Sequence, residues 1–135
     1  MIRSLAAVAA LSILGGCGPA ATTAADAGGQ FAGLDGEILK WRAEIVKSGP
    51  LCQSAAEGQK CQGFEVACKA ERTITPADRA AGVTAKLVAA MDWNGWDSKL
   101  KEAQAGSEAA LFTKTGPAWT RAPHAPVNMS SCADL

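Results

Sequence analysis

Tyrosine is absent from this sequence, histidine occurs once, and the 13 basic side chains are balanced by 13 acidic ones. Each scarcity excludes something. A chain without net charge has no electrostatic footprint for nucleic acid. The single histidine, His124, lies in a proline-flanked tail and no C-x-x-C pair occurs, which argues against a zinc site and against a thioredoxin-like redox centre. G-x-S-x-G, phosphate-binding glycine loops, H-E-x-x-H and calcium-loop patterns are missing as well. The residues therefore imply no cofactor and no metal. Glu65 and Glu71 could form an acid/base pair in principle, but on a strand with Lys69 between them they read as a solvated charge row.

Long hydrophobic runs are also lacking. The apolar stretch 5–14 is interrupted only by Ser12 and follows Arg3; it is too short for the ~20 residues of a spanning helix and has the layout of a secretory signal. It ends in Leu14-Gly15-Gly16-Cys17, which resembles the lipobox of bacterial lipoproteins. That resemblance implies cleavage of residues 1–16 and acylation of Cys17, so that membrane attachment comes from acyl chains rather than from charge. Losing Arg3 leaves 12 basic against 13 acidic side chains. With Gly18 rather than Asp after the cysteine, the resemblance implies an exported protein anchored in the outer membrane and facing the periplasm. Residues 17–30 then form the lipidated cysteine and a tether, because GPAATTAADAGGQ contains no large apolar side chain to offset the entropy of ordering. The remaining 31–135 suffice for one modest domain whose core gains from staples.

Cysteine usage agrees with this layout. Five cysteines are an odd number for an exported chain; assigning Cys17 to the lipid leaves Cys52, Cys61, Cys68 and Cys132. Four cysteines allow three pairings. The reading favours Cys52 with Cys61, closing a polar loop, and Cys68 with Cys132. Its basis is the alternation over 63–75, in which Phe64, Val66, Cys68, Ala70 and Ile74 share the inward face of a strand. With the thiols paired, a Cys/His nucleophile has no free sulfur.

The expected fold is α+β: two main helices on a mostly antiparallel sheet of three to four strands, with two disulfides. Leu34, Ile38, Trp41 and Ile45 mark one face of a helix over 34–47, stopped by Gly49-Pro50. Lys40 and Glu44 stand at i, i+4 spacing on it. Thr75-Pro76-Ala77-Asp78 has the chemistry of a helix start, and Ala80, Thr84, Leu87, Val88 and Met91 continue it as an apolar stripe. Asn94-Gly95 is the preferred dipeptide of a two-residue hairpin and would set Trp93 and Trp96 side by side. Residues 96–101 read as a strand, with a short helix over 98–105 as the competitor. Residues 109–115 and 118–121 read as strands joined at Gly116-Pro117, with Trp119 inward.

Function is expected at the level of class. A non-catalytic envelope module that binds another protein, or serves structurally, comes first. The alternative is a small-ligand domain for a sugar, a peptidoglycan fragment or an apolar molecule, with Trp93, Trp96 and Trp119 as candidate binding residues. An enzyme without a visible motif comes third. For the tryptophan pair, a cross-strand contact closing the core is preferred over a ligand platform. The order of elements is similar to cone-shaped α+β folds, a likeness of shape without functional weight. A pocket of several hundred Å³ lined by these tryptophans would favour a ligand, and a filled interior would favour a protein partner.

Overall fold

The computed structural model describes residues 29–135. The expected leader, the lipobox-like Cys17 and most of the expected tether lie outside the described residues. The elements in order are α1 (Leu34–Ser48), β1 (Gln62–Glu71), a short α2 (Pro76–Ala80), β2 (Val83–Asp97), β3 (Glu102–Thr115) and β4 (Ala118–His124). The four strands form one antiparallel meander in the order β1-β2-β3-β4. The fold is α+β, with one main helix rather than two.

Helix α1 forms where the period of its apolar residues demands it. Leu34, Ile38, Trp41 and Ile45 are buried against one face of the sheet, among Leu87, Met91, Trp93 and Phe112. Asp35 and Glu37 occupy its first turn and Lys47 its last, each sign matching the helix dipole. Gly49 ends it, with its N–H donating to the Ile45 carbonyl at 2.7 Å. Lys40 pairs with Glu37 at 2.6 Å rather than with Glu44, which instead takes Arg121 from β4.

The expected second helix stops after five residues. Its start is built as the residues dictate: the Thr75 hydroxyl accepts from the Asp78 N–H, and the Asp78 carboxylate accepts from the Thr75 N–H at 2.9 Å. These bonds, together with Lys86 at 2.9 Å, lower the Asp78 pKa from 3.8 to about 2. The chain then turns at Gly82, whose φ of +80° suits glycine, and becomes the 15-residue strand β2. What imitated a helical stripe was a strand buried on both sides. Leu87, Ala89, Met91 and Trp93 face α1, while Val88 and Ala90 face the opposite side. The even positions Thr84, Lys86, Asp92 and Asn94 are polar, but Val88 and Ala90 between them are buried under the C-terminal tail, and this apolar centre interrupts the period of two.

The inward face expected for β1 is split in the same way. Register shifts fall between Gln62 and Glu65 and between Val66 and Cys68. Phe64 and Val66 pack toward α1, whereas Cys68 and Ala70 pack on the other face with Val88, Val127 and Met129. One extra residue in a strand reverses the side on which every later side chain lies. Both disulfides nevertheless pair as expected, Cys52 with Cys61 and Cys68 with Cys132. The second fastens the C-terminal tail over the face opposite α1, helped by Arg72, which donates to the Cys132 carbonyl at 2.7 Å and pairs with Asp134 at 2.8 Å.

Asn94-Gly95 is not a turn. Both residues lie inside the β2–β3 ladder, opposite Ala105 and Gln104. The hairpin closes at 98–101, where the Asp97 carboxylate accepts from the Lys99 and Leu100 N–H groups at 2.8 and 3.0 Å and Lys101 adopts a φ of 55°. Those bonds, from Leu100 first and then Lys99, lower the Asp97 pKa. The 96–101 strand and the 98–105 helix both give way to this turn and the start of β3. Gly95 is required for a different reason. A Cβ there would sit 2.5 Å from the Leu51 Cβ and 2.8 Å from the Leu51 carbonyl oxygen, because the Cys52–Cys61 loop lies against the strand and the Leu51 carbonyl accepts from the Trp96 N–H at 2.9 Å. Beyond β3, the turn at Gly116 and an inward Trp119 match expectation.

Candidate functional site

The three tryptophans named as binding residues do not converge. Trp93 is buried, stacks on Phe64 with ring centroids 5.7 Å apart, and lies over Gly106 of β3. Trp119 is buried under the first described residues: its indole N–H donates to the Ala32 carbonyl at 2.9 Å, and Gly33 touches its ring. Trp96, half-buried, falls on the opposite face of β2 from Trp93, since the ladder runs without a shift from 85 to 97. The two indoles are not a platform. The tryptophans that the helix face contains are filler, as expected where no tyrosine shares the work.

The surface offers shallow clefts rather than a deep pocket. The two most relevant lie on either side of β3 near the point where β4 ends. On the helix face, a cleft of about 180 Å³ is bordered by Trp41, Glu44, Ser48, Pro50, Glu108 and Arg121. On the opposite face, one of about 240 Å³ is bordered by Ser107, Ala109, His124, Pro126, Val127 and Met129. Both fall below the range of about 300 to 1,000 Å³ usual for small-molecule sites.

The polar groups of the helix-face cleft come from three elements. From α1, Trp41 donates its indole N–H to a Glu108 carboxylate oxygen on β3 at 2.8 Å. Arg121 on β4 hydrogen-bonds Glu44 and lies 5.9 Å from the Trp41 ring centroid. Two carboxylates, one guanidinium and the carbonyl end of α1 leave the cleft with an excess of negative charge. The sequence reading missed this cluster. Trp41 was recognised as core, but nothing in the local pattern joins it to residues 67 and 80 positions later. Glu108, in the middle of β3, falls just before the 109–115 strand expected from sequence and carries no periodic signal.

His124 lies 3.8 Å from Asp134, and its Nδ1 is 2.8 Å from the Ala125 carbonyl. Among the described residues, no group of three histidines, cysteines or carboxylates is placed to hold a metal ion, and no helix is long and apolar enough to cross a membrane. Comparison of the chain with protein-family models, with curated proteins and with solved structures finds no match.

Proposed function

We propose that this chain is a lipid-anchored module of the bacterial envelope, held through acyl groups on Cys17 at the outer membrane, that works by binding another protein rather than by catalysis. The lipobox-like Leu14-Gly15-Gly16-Cys17 supports the anchor, and a spacer rich in Ala, Gly and Thr then leashes the stapled domain to the periplasmic side. The observation that carries the binding-module reading is the fate of the aromatics. Trp41, Trp93, Trp119 and Phe112 fill the space between α1 and the sheet, so three of the four tryptophans are spent on the core and Trp96 alone is left half-buried outside it. The surface keeps apolar side chains on the outer side of α1, where Leu39 is 62% and Val46 45% exposed.

Crosslinking in living cells followed by mass spectrometry tests this reading. Adducts between this chain and one envelope protein are the expected result, and crosslinks only to glycan would favour the ligand-binding alternative. The anchor is tested separately by Cys17→Ala, which removes the acyl mass and releases the protein from membranes. An unchanged N-terminal mass would overturn the lipoprotein assignment.

A further inference from the structure

Strand β3 is twice as long as the partner on its outer side. β4 covers Ala109 to Thr115, and the chain then leaves the sheet at Pro126. The seven residues 102–108 pair with β2 on one side only, and among the described residues no other backbone group bonds to them. This leaves roughly 23 Å of open edge at the usual rise per residue. The other two outer strands are blunted in the ways proteins normally protect edges. β1 carries two register shifts and Lys69, and β4 carries Pro123. The segment 102–108, EAQAGSE, has no proline, no lysine and no shift in its ladder.

The open edge also carries an unmet hydrogen bond. Trp93 is 5% exposed, and its indole nitrogen is the buried side-chain polar atom left without a partner among the described residues. It stands over Gly106, 2.5 Å from where a Cβ on that residue would be. A buried N–H without an acceptor is costly. On an added strand, the residue opposite Gly106 would bring its side chain to the same face.

We propose that an extended segment of a partner protein adds to the sheet along 102–108, antiparallel to β3, and that its side chains are selected by the two clefts flanking that edge. This deepens the protein-binding reading and rests on it. Residues opposite even-numbered β3 positions project toward α1, and those opposite odd-numbered positions project to the other face. The partner residue opposite Glu108 enters the acidic cleft and is basic, meeting Glu108 and Glu44 near the carbonyl end of α1. The next, opposite Ser107, reaches Pro126, Val127 and Met129 and is apolar. The third, opposite Gly106, accepts from the Trp93 N–H. The recognised sequence is thus basic, apolar, hydrogen-bond acceptor in the N-to-C direction. The self-pairing that would cover all seven residues is disfavoured: centred on Ala105, it sets Glu102 against Glu108 at both ends, like charges directly opposed.

The probe is the capped peptide Lys-Val-Asn-Val-Thr-Val-Lys, added to the full-length chain in detergent while amide hydrogen exchange is followed by mass spectrometry. Protection of 102–108, with 62–71 unchanged, is the expected result. E44Q together with E108Q, which keeps an acceptor for Trp41, should weaken peptide binding about two- to fivefold and flatten its salt dependence. W93F, which keeps an aromatic ring against Phe64 and removes the indole N–H, should weaken binding of the Asn peptide but not of a variant with Val in its place. Unchanged exchange across β2 in the free variants confirms that they fold. Protection of 62–71 instead, no protection, or equal binding of a peptide with its first Lys replaced by Glu would overturn the proposal. A photo-crosslinking residue placed in cells at Ala103 and separately at Leu39 distinguishes the two levels. Protein adducts at 39 but not at 103 overturn the edge site and leave the binding-module reading standing, whereas adducts at neither position overturn both.

Discussion

The two faces of the sheet are held by different means. Toward α1, Trp41 and Phe112 meet edge-on with centroids 5.7 Å apart, and Leu34, Ile38, Leu87, Met91, Trp93 and Trp119 close the space around them. On the opposite face the buried residues are small: Val88, Ala90 and Ala109 lie under a tail that contributes Val127 and Cys132. Large aromatic side chains bury enough surface to hold a helix without covalent help. A tail laid over alanines does not, and the Cys68–Cys132 bond supplies the difference. Of the two disulfides, Cys52–Cys61 packs beside the helix-face core, and Cys68–Cys132 is the one that fastens a separate segment where burial is poorest.

Removing the largest buried side chain breaks the helix face. Trp41→Ala should cost about 3 to 5 kcal/mol and leave Glu108 without its indole donor, as read by urea unfolding. On the other face, replacing Cys68 and Cys132 together by Ser should cost up to about 4 kcal/mol by loop entropy, against about 2.5 kcal/mol for Cys52 and Cys61 in their shorter ring. The near-UV circular dichroism of the tryptophans should survive the first of these double replacements, since Trp41, Trp93 and Trp119 belong to the helix-face cluster and the tail to the other. Its loss would show that the two faces are not independent. Gly106→Ala sharpens the comparison on the helix face. The added methyl collides with the Trp93 indole, and a cost of about 1 to 3 kcal/mol with changed Trp93 fluorescence is expected. The smallest effect belongs to neither face. Asp78 titrates lower in the folded chain than in the unfolded one, so its contribution is present above pH 3.8 and is lost as pH falls toward 2. Asp78→Asn should flatten the acid limb of the stability profile over that window.

Much of this architecture was legible before folding. The α1 stripe, the capping box at Thr75 and Asp78, and the inward Trp119 each depend on residues close together in sequence, where spacing translates directly into geometry. The misread elements share one cause. Leu87 next to Val88 suggested a helix because Val88 and Ala90, covered by the tail, interrupt the polar series of Thr84, Lys86, Asp92 and Asn94, and Asn94-Gly95 suggested a turn because its glycine answers to the Cys52–Cys61 loop pressing on β2. In both places the residue's reason lies in a neighbour distant along the chain. The acidic cleft is the extreme instance. Trp41, Glu44, Glu108 and Arg121 come from three elements, and none of the four is recognisable alone.

By itself the sequence determined the parts: a lipobox-like cysteine before a stretch without large apolar side chains, an amphipathic helix, a capped turn, and four cysteines that pair with one another. Only the tertiary structure decided which face each part occupies. A register shift in β1 carried Cys68 to the side opposite α1, and the two-sided burial of β2 turned an expected helix into the central strand. The early end of β4 left half of β3 without a neighbour. Local chemistry sets which element forms, but register, strand length and the reach of a distant loop are set by packing, and from those follows the surface this domain presents.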